Sequence, residues 1–326
     1  MLSADDARWL AAAASLAERS RPLARPNPGV AALVVRDRIV VGRGWTQAGG
    51  RPHAEAMALD QAGDAARGAT LYVTLEPCAH RSARGPACAD LVEAAGLARV
   101  VVGMRDPDSR TAGEGMARLR AAGIMVVEAE LEAGALGLSG HETALTLGRP
   151  HVTLKLALSL DGCIALSSGE SRWITGAAAR AHAHRERARA DAILVGGGTM
   201  RADDPALDVR LPGLEDRAPE RWVLTRGDAP AGWRGLAAPG DIIGIGDTRY
   251  LFIEGGAGAA AAFLAGDLVD RLLLYRAPIV IGGGRPGVAD IGLATLAAAH
   301  GRWRQTDGRQ LGSDRLDVYT RQRKGA

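Results

Sequence analysis

Apolar positions in the first 148 residues change period several times, and each change predicts an element. Across residues 3–20, Trp9, Ala13, Leu16 and Ala17 share one face of a 3.6-residue repeat, behind Ser3 and Asp6 at capping-box spacing, which predicts a helix. Arg25-Pro-Asn-Pro-Gly29 reads as a turn. Residues 30–35 and 39–45 are β-rich runs joined by Arg36-Asp37-Arg38, a hairpin pattern. Helices are then expected over 53–62, 87–95 and 113–122, alternating with strands over 69–76, 99–104 and 124–129. Such alternation predicts a sheet covered by helices on both faces. A further helical segment, 130–148, ends at Gly148-Arg149-Pro150, which reads as a domain boundary.

The second half opens with alternation over residues 151–162. Val152, Leu154, Leu156, Leu158 and Leu160 are placed on one face, and Thr153, Lys155, Ala157, Ser159 and Asp161 on the other. The first face suits a core; the second suits a pocket or water. Helix 177–190, strand 191–198, a loop with Asp203-Asp204-Pro205, strand 222–225, strand 250–254, helix 257–265, strand 271–281 and a polar strand pair near 301–321 follow. The overall expectation is an α/β chain of two domains, 1–148 and 151–326.

Composition narrows the class. Apolar content of 47% and charged content of 24% are those of a globular protein. No apolar run is long enough to span a bilayer, and Ser3, Asp5 and Asp6 replace the basic start of a secretory signal, so a cytoplasmic location without membrane partners is expected. Net charge is only +3, the basic residues are scattered and aromatics are 4%, which argues against nucleic acid. Of 40 basic residues only Lys155 and Lys324 are lysine, so a lysine inside an apolar strand stands out.

The candidate chemistry begins at His53-Ala54-Glu55, followed by Glu76-Pro77-Cys78 and Pro86-Ala87-Cys88. One imidazole and two thiolates make a zinc site with an open fourth position, and the extra carboxylate of Glu55 makes a proton shuttle beside it. His-x-Glu with a later Pro-Cys is the arrangement of zinc-dependent nucleobase deaminases. A closed structural zinc site would need a fourth protein ligand, for which His80 is nearest in sequence. In the second half Lys155 and Asp161 are the candidate catalytic pair for hydride transfer. Gly196-Gly197-Gly198 with Thr199, and Gly255-Gly256 before a helix, are candidate phosphate cradles for a dinucleotide; a plain strand-to-loop turn is the alternative.

Pro26-Asn27-Pro28, Gly42-Arg-Gly44-Trp45, His53-Ala-Glu55 and Thr74-Leu-Glu-Pro-Cys78-Ala-His80 together resemble the bifunctional deaminase–reductases of riboflavin biosynthesis. So do Lys155-Leu-Ala-Leu-Ser-Leu-Asp161-Gly162, Ser168-Gly-Glu-Ser171-Arg-Trp173-Ile-Thr175, Ala202-Asp-Asp-Pro-Ala-Leu207 and Glu254-Gly-Gly256, in the same order. The resemblance implies a cytidine-deaminase-like three-layer domain that hydrolytically deaminates a phosphoribosylamino-diaminopyrimidine with Zn2+. It further implies a dihydrofolate-reductase-like domain that uses NADPH to reduce the ribosyl arm to ribityl. By the same resemblance Asn27 and His80 hold the pyrimidine, and Arg84, or else Arg81, meets its phosphate. Ser171, Arg187, Leu207, Arg210 and Glu254 lie near the ribosyl phosphate, and Ala157, Trp173, Thr175, Thr199 and Asp203 near the dinucleotide. A small-molecule phosphorylated pyrimidine and a homo-oligomer are the implied partners. Three departures stand out: Thr46 replaces a histidine, the nine-residue loop between Cys78 and Cys88 is one residue longer than the usual spacing, and the segment between 210 and 254 is short, with a strand–helix unit missing or reduced to 241–246. A deaminase with a non-catalytic C-terminal oligomerisation domain, and a nucleic-acid deaminase, are the competing readings.

Overall fold

The computed structural model describes residues 2–80, 85–109, 111–129, 131 and 136–323, which divide into two units, Met1–Gly148 and Arg149–Ala326. The first holds α1 (Ala4–Ala17), β1 (Ala31–Arg36), β2 (Ile39–Trp45), α2 (Ala54–Ala62), β3 (Thr70–Val73), α3 (Cys88–Ala94), β4 (Arg99–Val102), α4 (Glu114–Ala121), β5 (Met125–Glu128) and α5 (Leu136–Leu147). Its strands lie in the order β2-β1-β3-β4-β5. β1 runs antiparallel to β2 and β3, whereas β3, β4 and β5 are parallel.

This sheet is buried on both faces, which explains its nearly unbroken apolar strands. Ala32, Val34, Leu71, Val73, Val100 and Val102 pack with Ala54, Ala58, Val92 and Leu119 from α2, α3 and α4. Leu33, Val35, Tyr72 and Val101 pack with Trp9, Leu10 and Ala13 of α1. The Ser3–Asp6 capping box is present, and Asp6 also takes both guanidinium prongs of Arg99 and the Tyr72 hydroxyl, so the cap ties α1 to the sheet.

The second unit holds β6 (His151–Leu158), β7 (Cys163–Ala165), α6 (Ala177–Arg187), β8 (Ala192–Gly196), α7 (Gly197–Asp203), β9 (Glu220–Leu224), β10 (Arg234–Leu236), β11 (Tyr250–Ile253), α8 (Ala257–Ala265), β12 (Arg271–Arg276), β13 (Arg285–Pro286), β14 (Trp303–Leu311) and β15 (Asp314–Arg321). The main sheet runs β10-β9-β8-β11-β6-β12-β15-β14. Its first six strands are parallel and the last two antiparallel. Phe263 of α8 closes one face over Leu154, Leu194 and Ile253, while Ala179 and Ala183 of α6 close the other over Phe252, Leu273 and Tyr275.

One expectation needs correction here. The strand expected over 151–162 ends at Leu158. Ser159 accepts the Cys163 N–H on its hydroxyl at 2.9 Å and its own N–H reaches the Cys163 carbonyl, so the chain turns through Asp161 and Gly162. Leu160, expected in the core, is therefore 58% exposed. Asp161 leaves the Lys155 face, and its carboxylate instead accepts the N–H groups of Ile281 and Gly282. The remaining polar face of β6 lies on the α6 side of the sheet, with Thr153 buried and Lys155 and Ala157 half-buried. The unit expected to be missing or reduced before residue 254 is present in reduced form. β10 pairs in parallel with β9, and a single 3-10 segment, Pro239–Gly244, replaces a full helix.

Candidate active sites

α2 brings His53 and Glu55 into place. His53 is its N-cap residue and Glu55 lies in its first turn, buried. The helix sits unusually close to β2. A Cβ on Gly42 would stand 2.0 Å from the Ala58 carbonyl oxygen, and one on Gly44 2.3 Å from that of Ala54. The two glycines of the Gly-Arg-Gly run thus let the helix backbone lie directly on the strand.

α3 supplies Cys88 at its first turn, and the segment after β3 supplies Cys78. His53 Nδ1 lies 3.2 Å from Cys88 Sγ and 3.7 Å from Cys78 Sγ. Tetrahedral zinc with ordinary bond lengths sets such atoms about 3.6 Å apart. The three ligand atoms all fall within 4.8 Å of one another, and His80, which is exposed, is not among them. The thiols show the same fit in their electrostatics. Cys78 is drawn down to about 4, first by the hydrogen bond from Cys88, while Cys88 is pushed up by that bond and by burial. Two touching thiols do not both ionise without a cation between them, and a divalent ion answers that demand. Burial pushes Glu55 up to about 7, opposed by His53, which suits a group that must both take and give a proton.

Around these residues the predicted contacts divide. Asn27 donates to the Gly50 carbonyl, and its amide lies 3.4 Å from His53 Nε2. Arg81 and Arg84 lie outside the described residues. Thr46 is buried, and its hydroxyl accepts the Val30 N–H at 3.1 Å, so it holds backbone where a histidine was expected. The sequence motif included Glu76 without giving it a role. Its buried carboxylate accepts the N–H groups of Asp106, Gly113 and Met116, fixing the start of α4 beside Pro77-Cys78. The available signal was an acidic residue at the end of an apolar strand, immediately before a ligand-bearing Pro-Cys.

In the second unit Lys155, Arg187 and Glu254 meet on the α6 side of the sheet. Arg187 closes a fork on Glu254, Nε to Oε1 at 2.5 Å and Nη2 to Oε2 at 3.0 Å, and Lys155 Nζ lies 3.4 Å from Oε2. Burial alone would raise the Glu254 carboxyl, but Lys155 and Arg187 outweigh it and hold it at about 2. Lys155 is thus a paired, half-buried cation, not an exposed strand lysine. Arg187 belongs to this centre and not to a solvated helix face.

The glycine turns lie at the carboxyl ends of the adjacent parallel strands β8 and β11, with Gly196 capping α7 and Gly256 capping α8. Thr199 Oγ1 accepts the Gly256 N–H at 3.2 Å, joining the two turns. A Cβ on Gly255 would press on the Ala259 methyl at 2.7 Å. Two helix amino ends side by side at that edge form the place where open α/β sheets hold dinucleotide phosphates. Trp173 is 66% exposed with Arg180 over its ring, and Thr175, buried, offers its carbonyl to Arg180. Arg172 reaches the Asp203 carbonyl, which ties the 171–175 loop to the end of α7. Ser171 and Ala157 are half-buried, Leu207 is buried at φ 53°, and Arg210 is exposed and paired with Asp208. Asp161 stands apart on its own turn, its carboxyl held below the usual range by the Ser159 hydroxyl and the two amides.

Comparison with known proteins agrees with both centres. Residues 3–104 match the cytidine and deoxycytidylate deaminase zinc-binding region, and residues 150–231 and 243–316 match the RibD C-terminal domain. The chain is 37% identical to the riboflavin biosynthesis protein RibD of Escherichia coli K12, over 90% of this chain and 94% of that one. It is 33% identical to that of Haemophilus influenzae, over 98% of each. Among solved structures it is similar to Acinetobacter baumannii RibD, with TM-score 0.81 and 35% identity over 98% of this chain and 99% of that one. It is also similar to the diaminohydroxyphosphoribosylaminopyrimidine deaminase/5-amino-6-(5-phosphoribosylamino)uracil reductase of Thermotoga maritima, with TM-score 0.82 and 29% identity over the same shares. The fold, the two centres and these matches along nearly its whole length place the chain in the bifunctional zinc-dependent deaminase and NADPH-dependent reductase family of riboflavin biosynthesis.

Proposed function

We propose that residues 1–148 carry the deamination and residues 151–326 the reduction of one phosphoribosylamino-pyrimidine, each at its own centre. The single observation that carries the first half is the His53–Cys78–Cys88 set with Glu55 buried beside it. His53, Cys78 and Cys88 hold the zinc ion, which supplies Lewis acidity toward water when bound. Glu55 takes the proton released as water adds to the amine-bearing ring carbon. It delivers that proton to the ring nitrogen, then takes the second proton from the added hydroxyl and passes it to the amino group, which leaves as ammonia. Asn27 and His80 bind the pyrimidine edge, and Arg84, or else Arg81, meets the phosphate.

In the second half NADPH supplies the hydride. The turns at Thr199 and at Gly255 and Gly256 would hold its phosphates, and Ala157, Trp173, Thr175 and Asp203 would line the rest of the dinucleotide. Lys155, paired with Glu254, hands a proton from Nζ to the ribosyl ring oxygen as the ring opens and hydride reaches C1. Arg187 holds Glu254 in place. Ser171, Leu207 and Arg210 flank the ribosyl phosphate. Asp161 anchors the segment at residues 281–282, so the proton step rests on Lys155. Among the described residues no helix is long and apolar enough to cross a membrane. A cytoplasmic homo-oligomer acting on a small molecule, without nucleic acid, completes the reading. Turnover of the diaminopyrimidine with and without NADPH tests it. Ammonia release in both cases and NADPH consumption only after it are expected; no ammonia, or no NADPH consumption, would refute the corresponding half.

A further inference from the structure

Arg51 stands where the two chain segments that carry the metal ligands converge. It is half-buried and lies two residues before His53. A Cβ placed on Gly85, three residues before Cys88, would stand 3.0 Å from Arg51 Nη1, so the guanidinium lies against the loop leading into α3. Among the described residues no carboxylate or backbone oxygen bonds that guanidinium. The turn bearing it is fixed on both sides. Asn27 holds the Gly50 carbonyl at 3.1 Å, and the Gln47 N–H holds the Pro52 carbonyl at 3.1 Å. Arg51 is therefore a fixed, half-desolvated cation at the rim of the deaminase centre.

Its contact with Gly85 keeps it near the ligand Cys88. Three residues span at most about 11 Å, which bounds the separation of Gly85 from Cys88. A phosphoribosylamino arm sets its phosphate on the order of 10 Å from the pyrimidine ring, by bond lengths alone. The centre itself offers a buried carboxyl and two sulfurs, none of which accommodates a phosphate. A planar guanidinium at the rim does, through a two-pronged, charge-assisted hydrogen bond.

We propose that Arg51 is a substrate-binding and specificity residue of the deaminase centre, receiving the phosphate of the phosphoribosylamino arm together with Arg84, or else Arg81. The proposal rests on the deaminase reading above. Because the phosphate is remote from the reacting carbon, Arg51 acts on binding and leaves the chemical step alone. Ammonia release by zinc-loaded Arg51→Met and Arg51→Lys proteins tests this, using the phosphorylated substrate and its dephosphorylated counterpart. Arg51→Met is expected to raise KM for the phosphorylated substrate by about 10- to 100-fold with kcat within a few-fold. KM for the dephosphorylated compound stays as in wild type, and Arg51→Lys recovers part of the loss. Zinc content and reduction of already deaminated substrate stay as in wild type, which reports an intact fold. An unchanged KM in Arg51→Met would overturn the proposal. So would an equal loss on both compounds, which would mark Arg51 as a prop for its turn. A wild-type protein that releases no ammonia would remove the deaminase reading and the proposal with it.

Discussion

At the deaminase centre the proposed proton traffic rests on a single carboxyl group. Glu55 is buried, close to the metal ligands and outside their set, so an amide of equal size removes proton transfer and little else. Glu55→Gln is expected to keep one zinc per chain and lose about 10²–10⁴-fold in ammonia release; metal analysis beside the rate checks both. A variant within a few-fold of wild type would take Glu55 out of the mechanism. In the reductase unit the comparable group is Lys155. Its removal leaves Glu254 still held by the Arg187 fork, so the site keeps its shape while losing its proton donor. Lys155→Met is expected to lower reductase kcat by about 10²–10⁴-fold with NADPH affinity within a few-fold, read by stopped-flow reduction and by cofactor titration. Equal loss of cofactor binding would make Lys155 a binding residue.

Between elements, stability concentrates at Asp270, just before β12. It takes both prongs of Arg149 at 2.7 and 2.8 Å and the Val152 N–H at 2.8 Å, fastening the start of β6 to its neighbour. Burial would raise this carboxyl, but Arg149 and His151 hold it at about 2. A depressed carboxylate stabilises the fold above its unfolded pKa, near 3.9, and the gain disappears as pH falls through the folded value of about 2. The contribution at neutral pH is on the order of 2 kcal/mol. Asp270→Ala leaves Arg149 buried without its partner and is expected to cost about 3–5 kcal/mol in the urea transition of this unit at pH 7. Most of that difference from wild type should be gone near pH 2; a pH-independent difference would contradict the electrostatic origin. Asp270 could not be read as a clamp from sequence, because its partner Arg149 lies far away along the chain. What was legible was local: the Ser3–Asp6 cap, the hairpin of β1 and β2, the alternation through β5, and the ligand set, whose spacing follows helix starts. The end of β6 was hidden because Ser159, Leu160 and Asp161 continue the apolar–polar alternation while side-chain bonds to Cys163 and the 281–282 amides turn the chain away. Arg187 sits among histidines and arginines that hide its inward direction until Glu254 is placed opposite. Glu76 was hidden because its partners lie 30, 37 and 40 residues ahead.

Over the whole molecule, the two centres belong to separate units, and every residue assigned to deamination precedes Gly148 while every one assigned to reduction follows it. The abbreviated β10 region lies at the edge of the second sheet, remote in strand order from Lys155 on β6. Shortening there removes uniform binding and not chemistry, so NADPH is expected to bind saturably with the nicotinamide beside Lys155 and Thr199. Its Kd should exceed that of a relative with a full unit, as followed by nicotinamide fluorescence. No saturation at millimolar cofactor would leave the second unit a non-catalytic platform. The measurement that decides the matter is a single time course on the diaminopyrimidine substrate, with ammonia and NADPH followed together. Wild type should release one ammonia for each NADPH consumed, with ammonia leading. Glu55→Gln should do neither on that substrate, yet consume NADPH at the wild-type rate once given the deaminated compound. NADPH consumption by Glu55→Gln on the amino substrate, or its loss on the deaminated one in a folded, zinc-containing protein, would contradict two separate centres working in that order.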